Sequence, residues 1–411
     1  MCGIVGIYGG NLSTIESASS AISHRGPDDY GVYTNQSLKV ALGHRRLSII
    51  DTSSFGHQPM ISDDDRFVLV FNGEIYNYKE LRTELIEKGF TFKGKSDTEV
   101  LLNLYLLEGK GMLSKLKGIF AFAILDTHSE SLFVARDALG VKPLYYFVKD
   151  SMVAFASEIK ALLKLVPDNK EIDTESINHY LSFLWCPGDG TPLKSVKKLL
   201  PGEAIIVKNG NIIDKWLWYK LPILTNIKKD LDKGQAISGV TKYLKQAVQR
   251  QMVADVPLGA FLSGGLDSSA IVAFARELNP DIRCFTIETK GKQDKGIIDD
   301  LPYARRVAKH LNVALDVLPI DSHKMANDLE FMVKQLDEPL ADPAALNVFY
   351  ICRLAKEQGI KVLLSGAGGD DLFTGYRRHY ALQLERYWSC LLYTSDAADD
   401  LLCVDLGGRR I

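Results

Sequence analysis

A chain of 411 residues, 46% hydrophobic and 24% charged, has material for two or three domains with sizeable cores and the composition of a soluble globular protein. Its net charge of −2 gives no pull toward nucleic acid or an anionic membrane, and no apolar run reaches transmembrane length. Six scattered cysteines form no CxxC or Cys/His pair at metal spacing, and no basic, then apolar stretch opens the chain, so the reading is a reducing cytoplasm without zinc sites, disulfides or secretory signal.

The chain opens Met1-Cys2-Gly3-Ile4-Val5. A small second residue allows removal of Met1, which would leave Cys2 with a thiol and a free α-amine. Such an amine, with an ordinary pKa of about 7.7–8.0, can serve as base for its own thiol. Taken by itself, Cys2 reads first as a small residue beginning a buried strand. Further on come a His24-Arg25-Gly26-Pro27-Asp28 turn and Gly43–Asp51, which reads as a strand with Arg45 and Arg46 at its start. Phe67–Phe71 is an apolar strand running into Asn72-Gly73-Glu74, and Ser96-Asp97-Thr98-Glu99 caps a helix over Val100–Leu107. Strands follow at Ile119–Leu125, Ser131–Arg136, Leu144–Val148 and Met152–Ser157. A last hairpin turns at Asn209-Gly210-Asn211. A Lys/Asp-rich link lies around Lys228–Gly234, which suggests a first domain at 2–213, a linker at 214–235 and a second domain at 236–389.

Five of these segments, in order from Cys2 to Asp97, resemble the glutamine amidotransferases with an N-terminal cysteine nucleophile, over residues 2 to about 200. The resemblance implies an α+β four-layer sandwich of the N-terminal nucleophile hydrolase type. It implies that Cys2 attacks the side-chain amide of glutamine, with the Asn72 amide and the Gly73 backbone N–H as oxyanion hole. Arg46 would take the α-carboxylate, and Asp97 with Glu74 the α-ammonium; Leu47, Ser48, Ile49 and Ile50 would line the same glutamine site. Without the resemblance, Asp97 reads as a helix cap and Arg46 as a solvated charge.

The second half alternates strand and helix: Val256–Leu262, Arg283–Glu288, Ala314–Ile320 and Lys361–Leu364 as strands, with Tyr303–Leu311 and Phe349–Glu357 among the helices. That is the pattern of an α/β doubly wound parallel sheet. Two strands end in Ser-Gly turns, Ser263-Gly264-Gly265 and Ser365-Gly366, which should line one crevice at a switch point. The first turn leads into a helix at Leu266-Asp267-Ser268-Ser269, a geometry suited to phosphate, with no lysine and so not a Walker A loop. Asp267, Asp370 and Asp371 would supply carboxylates for Mg²⁺ on the phosphates. The plainer reading makes Asp267 and Ser268 helix caps.

The octapeptide Leu262–Ser269 resembles the pyrophosphate loop of ATP pyrophosphatases. With Cys2, Asn72-Gly73-Glu74 and Ser365-Gly366-x-Gly-x-Asp370, the whole is similar to the glutamine-hydrolysing asparagine synthetase family over residues 2 to about 385. The resemblance implies glutamine and aspartate as substrates, ATP and Mg²⁺ as cofactors, and ammonia passing through an internal tunnel to a β-aspartyl-AMP. It assigns Leu262 and Ile287 to adenosine and Ser365 and Gly366 to a second ATP-contacting turn; a homodimer stays open. Two departures bear on it. Ala367 stands where the family commonly has Glu, which leaves room for another carboxylate acceptor. Residues 390–411 show no likeness and read as a truncated or foreign frame lacking the family's later lysine, with a softer second half as the expected consequence and a glutaminase-only activity as an alternative reading.

Overall fold

A computed structural model describes residues 1–167, 170–222, 232–290, 300–342, 344–376, 379–382 and 384. Residues 223–231 of the expected link at 214–235 and the whole tail from Cys390 lie outside the described residues. The chain divides into two compact units. The first is Met1–Pro257 with Asp321–Tyr350; the second is Leu258–Ile320 with the described residues after Tyr350.

In the first unit the strands, in chain order, are β1 (Gly3–Tyr8), β2 (Asp29–Asn35), β3 (Val40–Arg46), β4 (Met60–Ile61), β5 (Phe67–Ile75) and β6 (Gly118–Asp126). Then come β7 (Ser131–Arg136), β8 (Tyr145–Lys149), β9 (Met152–Ala156), β10 (Val196–Lys198), β11 (Glu203–Lys208) and β12 (Asn211–Leu217). They form two six-stranded sheets, ordered β10-β8-β9-β1-β3-β2 and β12-β11-β7-β6-β5-β4. Four helices matter for packing: α1 (Ile15–Ala21), α2 (Tyr78–Glu87), α3 (Asp97–Glu108) and α4 (Ile159–Leu165).

Alternation along each strand explains the layering. On β5, Val68 and Val70 face the other sheet while Phe67, Leu69 and Phe71 face α2 and α3; on β6, Ala121, Ala123 and Leu125 point inward and Phe120, Phe122 and Ile124 outward. Small residues between the sheets allow close approach, and aromatic ones fill the sheet-to-helix layer. On β1, Ile4 and Tyr8 join the inter-sheet core while Val5 and Ile7 pack with α1 and α4. Both faces of both sheets are thus covered, as the expected four-layer sandwich requires. The expected strand at Gly43–Asp51 is displaced: it runs over Val40–Arg46, with the arginines at its end. Pairing decides this, because Val40–Arg45 zip against β1 from Tyr8 back to Gly3. The Asn209-Gly210 turn forms as expected, with φ of 52° and 70°.

In the second unit, β13 (Leu258–Phe261), β14 (Arg283–Lys290), β15 (Ala314–Asp321) and β16 (Val362–Leu364) make one sheet ordered β15-β14-β13-β16. β13 runs parallel to β14 on one side and to β16 on the other. The order reverses between β13 and β16, which is the switch point of a doubly wound sheet. Two helices connect these strands, α5 (Leu266–Leu278) and α6 (Leu301–Leu311). The core gathers Phe285, Ile351 and Ala355 with Phe261, Ile287 and Leu363.

Candidate functional site

Cys2 sits at the entry to β1, a central strand of its sheet, and its thiol meets the backbone of Leu47. The Leu47 N–H donates to Sγ at 3.4 Å, and Sγ lies 3.6 Å from the Leu47 carbonyl. Burial pushes the thiol up, and the Leu47 N–H opposes it. Arg25 fixes the residue from behind: its Nε donates to the Cys2 carbonyl at 2.8 Å and its Nη1 to Glu158 Oε1 at 2.8 Å. Burial would raise the Glu158 carboxyl, but hydrogen bonds from His24 and Arg25 outweigh it and hold it at about 2.

Asn72 and Gly73 lie on β5. Asn72 is fully buried, and among the described residues neither its side-chain nitrogen nor its oxygen has a hydrogen-bond partner. A Cβ on Gly73 would lie 2.3 Å from the Ile119 carbonyl oxygen, so only glycine lets β6 approach here. Glu74 follows, its carboxyl pushed up by burial and drawn back first by Lys142. Asp97 opens α3 but does not cap it; the Ser96 hydroxyl does, accepting from the Glu99 N–H. The freed Asp97 carboxylate accepts from the Ile75 N–H at 3.0 Å. Burial, with Glu74 adding to it, pushes Asp97 up to about 7 against that hydrogen bond. Glu74, Asp97, Cys2 and Lys142 therefore form one electrostatic cluster.

Arg46 is buried at the end of β3 and donates to the Asp51 and Ser53 carbonyls. It occupies the space a Gly56 side chain would need, 1.8 Å from the Cβ position. Two of its five donors thus hold the 51–56 loop. Leu47, Ser48, Ile49 and Ile50 run between; the Ser48 N–H bonds Asp28 at 2.9 Å, and the Ile49 carbonyl accepts from the Asp255 N–H.

In the second unit, Leu262 is buried and donates its N–H to the Phe285 carbonyl at 3.0 Å. Gly264 has φ +82°, and a Cβ there would lie 2.4 Å from the Ala304 nitrogen. Gly265 is the N-cap of α5, with no side-chain cap bond, so Asp267 and Ser268 are not spent on capping. Ser263 and Ser268 share a hydroxyl contact of 3.0 Å. The Ser365-Gly366 turn packs on this helix start: a Cβ on Gly366 would meet the Ser268 nitrogen at 2.8 Å. The two turns therefore lie against each other beyond β13 and β16. Asp267 and Asp370 adjoin, the Asp370 N–H bonding the Asp267 carboxylate, which burial and then Asp370 push up. Among the described residues no group of three or more His, Cys, Asp or Glu is disposed to hold a metal ion, so Asp371 does not complete a third carboxylate. Ile287 is half-buried beside Phe285 in the core of the sheet.

Comparison with known proteins finds two family matches along the chain. Residues 1–218 match the glutamine amidotransferase domain and residues 239–402 match asparagine synthase. The chain belongs to the glutamine-hydrolysing asparagine synthetase family. The second match runs past Cys390, where the sequence by itself shows no likeness. The glutamine-hydrolysing asparagine synthetase 1 of Bacillus subtilis is 37% identical over 385 residues, 92% of this chain and 59% of that protein. The putative glutamine-hydrolysing asparagine synthetase 2 of Methanocaldococcus jannaschii is 34% identical over 92% of this chain and 76% of its own length. The amidase chyE of Penicillium rubens is 32% identical over 89% and 55%. The chain thus spans about three fifths of the length of several of the curated relatives it matches. No helix among the described residues is long and apolar enough to cross a membrane.

Sequence reasoning missed several residues around the Cys2 site. Lys142, in the run Gly140-Val141-Lys142-Pro143, reads as a turn lysine, yet it is 6% exposed. Glu338, in the expected second domain, belongs to the first unit, where it accepts from Tyr145 and Lys198 at 2.9 Å each. Its neighbour Asp337 is pushed up to about 6 by burial and by Glu158. No local pattern marks these residues for burial.

Proposed function

We propose that this chain makes an amide with glutamine as nitrogen donor and ATP as activator, the acceptor being aspartate and the products asparagine, glutamate, AMP and pyrophosphate. The observation that carries the reading is the Asn72 amide, buried beside Gly73 with both ends unpartnered. A buried amide left unsatisfied costs about 1–3 kcal/mol and is tolerated where a ligand completes it. An oxyanion forming at a carbonyl attacked by Cys2 is such a ligand.

In this reading the terminal amine takes the Cys2 proton once Met1 is removed. Burial lowers the Met1 amine to about 6; once Met1 is removed the free amine belongs to Cys2 itself. The thiolate attacks the glutamine Cδ, and the Asn72 and Gly73 N–H groups hold the oxyanion. The amine's proton leaves with ammonia, and water then releases glutamate from the thioester. The remaining Arg46 donors receive the α-carboxylate, and Glu74 with Asp97 the α-ammonium. In the second unit Ser263, Gly264, Gly265 and Ser268 would cradle the pyrophosphate, with Leu262, Ile287, Ser365 and Gly366 against the rest of ATP. Asp267 and Asp370 fit a Mg²⁺ that arrives with the triphosphate, since such an ion needs only one or two protein carboxylates; it would neutralise phosphate charge.

Ala367 favours a second reading, in which another carboxylate is the acceptor. Incubating the protein with ATP, glutamine and aspartate should yield asparagine and AMP together. AMP formed only with some other acid would reject aspartate, and glutamate released without AMP under any acceptor would leave a glutaminase.

A further inference from the structure

The strongest unexplained group in the first unit is Lys142. It is 6% exposed, and its ammonium makes no ion pair among the described residues. A buried, unpaired cation is costly and is retained where the surroundings need its charge. Its backbone is held from two sides. The Asp137 carboxylate accepts from the N–H groups of Lys142 (3.0 Å), Val141 (3.0 Å), Leu139 (3.1 Å) and Phe120 (3.2 Å). The Arg136 guanidinium donates to the carbonyls of Lys142 (2.7 Å), Gly140 (2.7 Å) and Leu199. Phe120 pairs directly with Gly73 across β5 and β6. The loop carrying Lys142 is thereby stitched to the strand position opposite Asn72-Gly73-Glu74.

The charged groups that act on Lys142 are Glu74 from β5, Cys2 at the start of β1, Arg25, Asp137 and the terminal amine, which also acts on Glu74 and Cys2. Asp97, from α3, faces Glu74 and Cys2 in turn. Two carboxylates in a buried space repel each other and resist being ionised together. Glutamine brings one ammonium to the two carboxylates, its own carboxylate being matched by Arg46, so Lys142 supplies the second positive charge at the ammonium end.

We propose that Lys142 is a positioning residue of the glutamine site, a built-in countercharge that holds Glu74 and Asp97 together as the receiver of the substrate's α-ammonium. The inference rests on the proposed glutamine reading and adds a residue to it. The burial that raises both carboxyls, and the first opposing influence of Lys142 on Glu74, agree with this placement.

The test measures glutamine affinity by calorimetry in the whole chain carrying Cys2→Ala, where binding occurs without turnover. Adding Lys142→Met should weaken glutamine binding at pH 7 by about tenfold or more, the scale of one lost charge interaction in a partly screened site. The deficit should shrink toward pH 9, where both carboxylates ionise without help. Lys142→Arg should restore most of the affinity. Unchanged affinity in Lys142→Met, or a loss equal at every pH, overturns the inference while leaving the glutamine reading intact. No glutamine binding by the Cys2→Ala parent overturns both. If Lys142→Met does not fold, Lys142→Gln carries the same comparison.

Discussion

The candidate Cys2 site draws its groups from the start of β1, from β3, β5 and α3 and from the Lys142 loop, with Arg46, Asn72, Asp97 and Lys142 buried and Cys2 and Glu74 half-buried. The candidate site of the second unit is made by two short contiguous turns, each following a parallel strand, with Leu266 at the helix start 85% exposed. The first arrangement gains its chemistry from desolvation: Asp97 is pushed up to about 7, and the Asn72 amide is left unpartnered. The second gains its chemistry from backbone direction, with N–H groups at a helix start and glycines that let a ligand come close. Side-chain changes should therefore damage the first site chemically and the second through its backbone.

The sharpest break of that contrast is Cys2→Ala. It should lower glutamine hydrolysis by more than about 10⁴-fold, the loss typical of a removed nucleophile. Synthesis supplied with free ammonia should persist, because the thiol serves only the first unit. Glutamate release and AMP formation measured in parallel check this; loss of ammonia-dependent AMP formation in a folded variant would refute two separate sites.

Asn72→Ala comes next. Removing one oxyanion donor should lower kcat for glutamine hydrolysis by about 10²–10³-fold, or about 2.7–4 kcal/mol, with little change in KM. Stability should hardly fall, because the amide makes no hydrogen bond to lose. A structural Asn72 would give the reverse: a lower melting temperature and an unaffected kcat in the folded fraction.

In the second unit the comparable test is Gly264→Ala. At φ +82° and with the Ala304 nitrogen 2.4 Å from the new Cβ, the change strains the turn whichever way it relaxes. The expected cost is about 1–3 kcal/mol in chemical denaturation, together with weaker ATP binding. Glutamine hydrolysis should stay at the parent level.

The same contrast explains what could be read from the sequence. The Ser263 and Ser365 turns are contiguous, so strand, turn and helix start were all legible, and the meeting of the two turns followed from strand order. In the first unit the alternation of Val68 and Val70 with Leu69 and Phe71 exposed a strand covered on both faces. The β3 boundary was misread because an apolar Leu47-Ser48-Ile49-Ile50 run looks extended, while the ladder to β1 ends at Arg45. Lys142, Glu158 and Glu338 were illegible for a different reason. The latter two are charged residues whose burial depends on partners far along the chain, Arg25 for Glu158, and Tyr145 and Lys198 for Glu338, while Lys142 is an isolated lysine in a turn sequence. No local period encodes such a pairing.

The smallest expected effect comes from two forked ion pairs, one in each unit. Arg66 donates to both oxygens of Asp126 at 2.9 and 2.8 Å, and Arg283 to both oxygens of Asp316 at 3.1 and 3.0 Å. The pairs look alike, but their surroundings differ. The Asp126 side chain is 8% exposed and also accepts from the His128 and Ser129 N–H groups and the Ser129 hydroxyl; that of Asp316 is 28% exposed. Asp126→Ala should therefore cost about 1–3 kcal/mol, because it removes a buried carboxylate and the hydrogen bonds made to its charge. Asp316→Ala should cost less than about 1 kcal/mol, as exposed pairs do. The pH dependence gives the sign. The Arg66 guanidinium, with Ser129 and the two N–H groups, holds the Asp126 carboxyl far below the usual carboxylate range. Its contribution is then fully present above the unfolded value of about 3.9 and is lost as the pH falls further. The stability gap between Asp126→Ala and the parent should be constant from pH 5 to pH 8, within about those limits, and narrow below about pH 4. Urea melts at several pH values decide it: a gap that stays constant down to pH 3 would mean that Asp126 acts through packing rather than through charge.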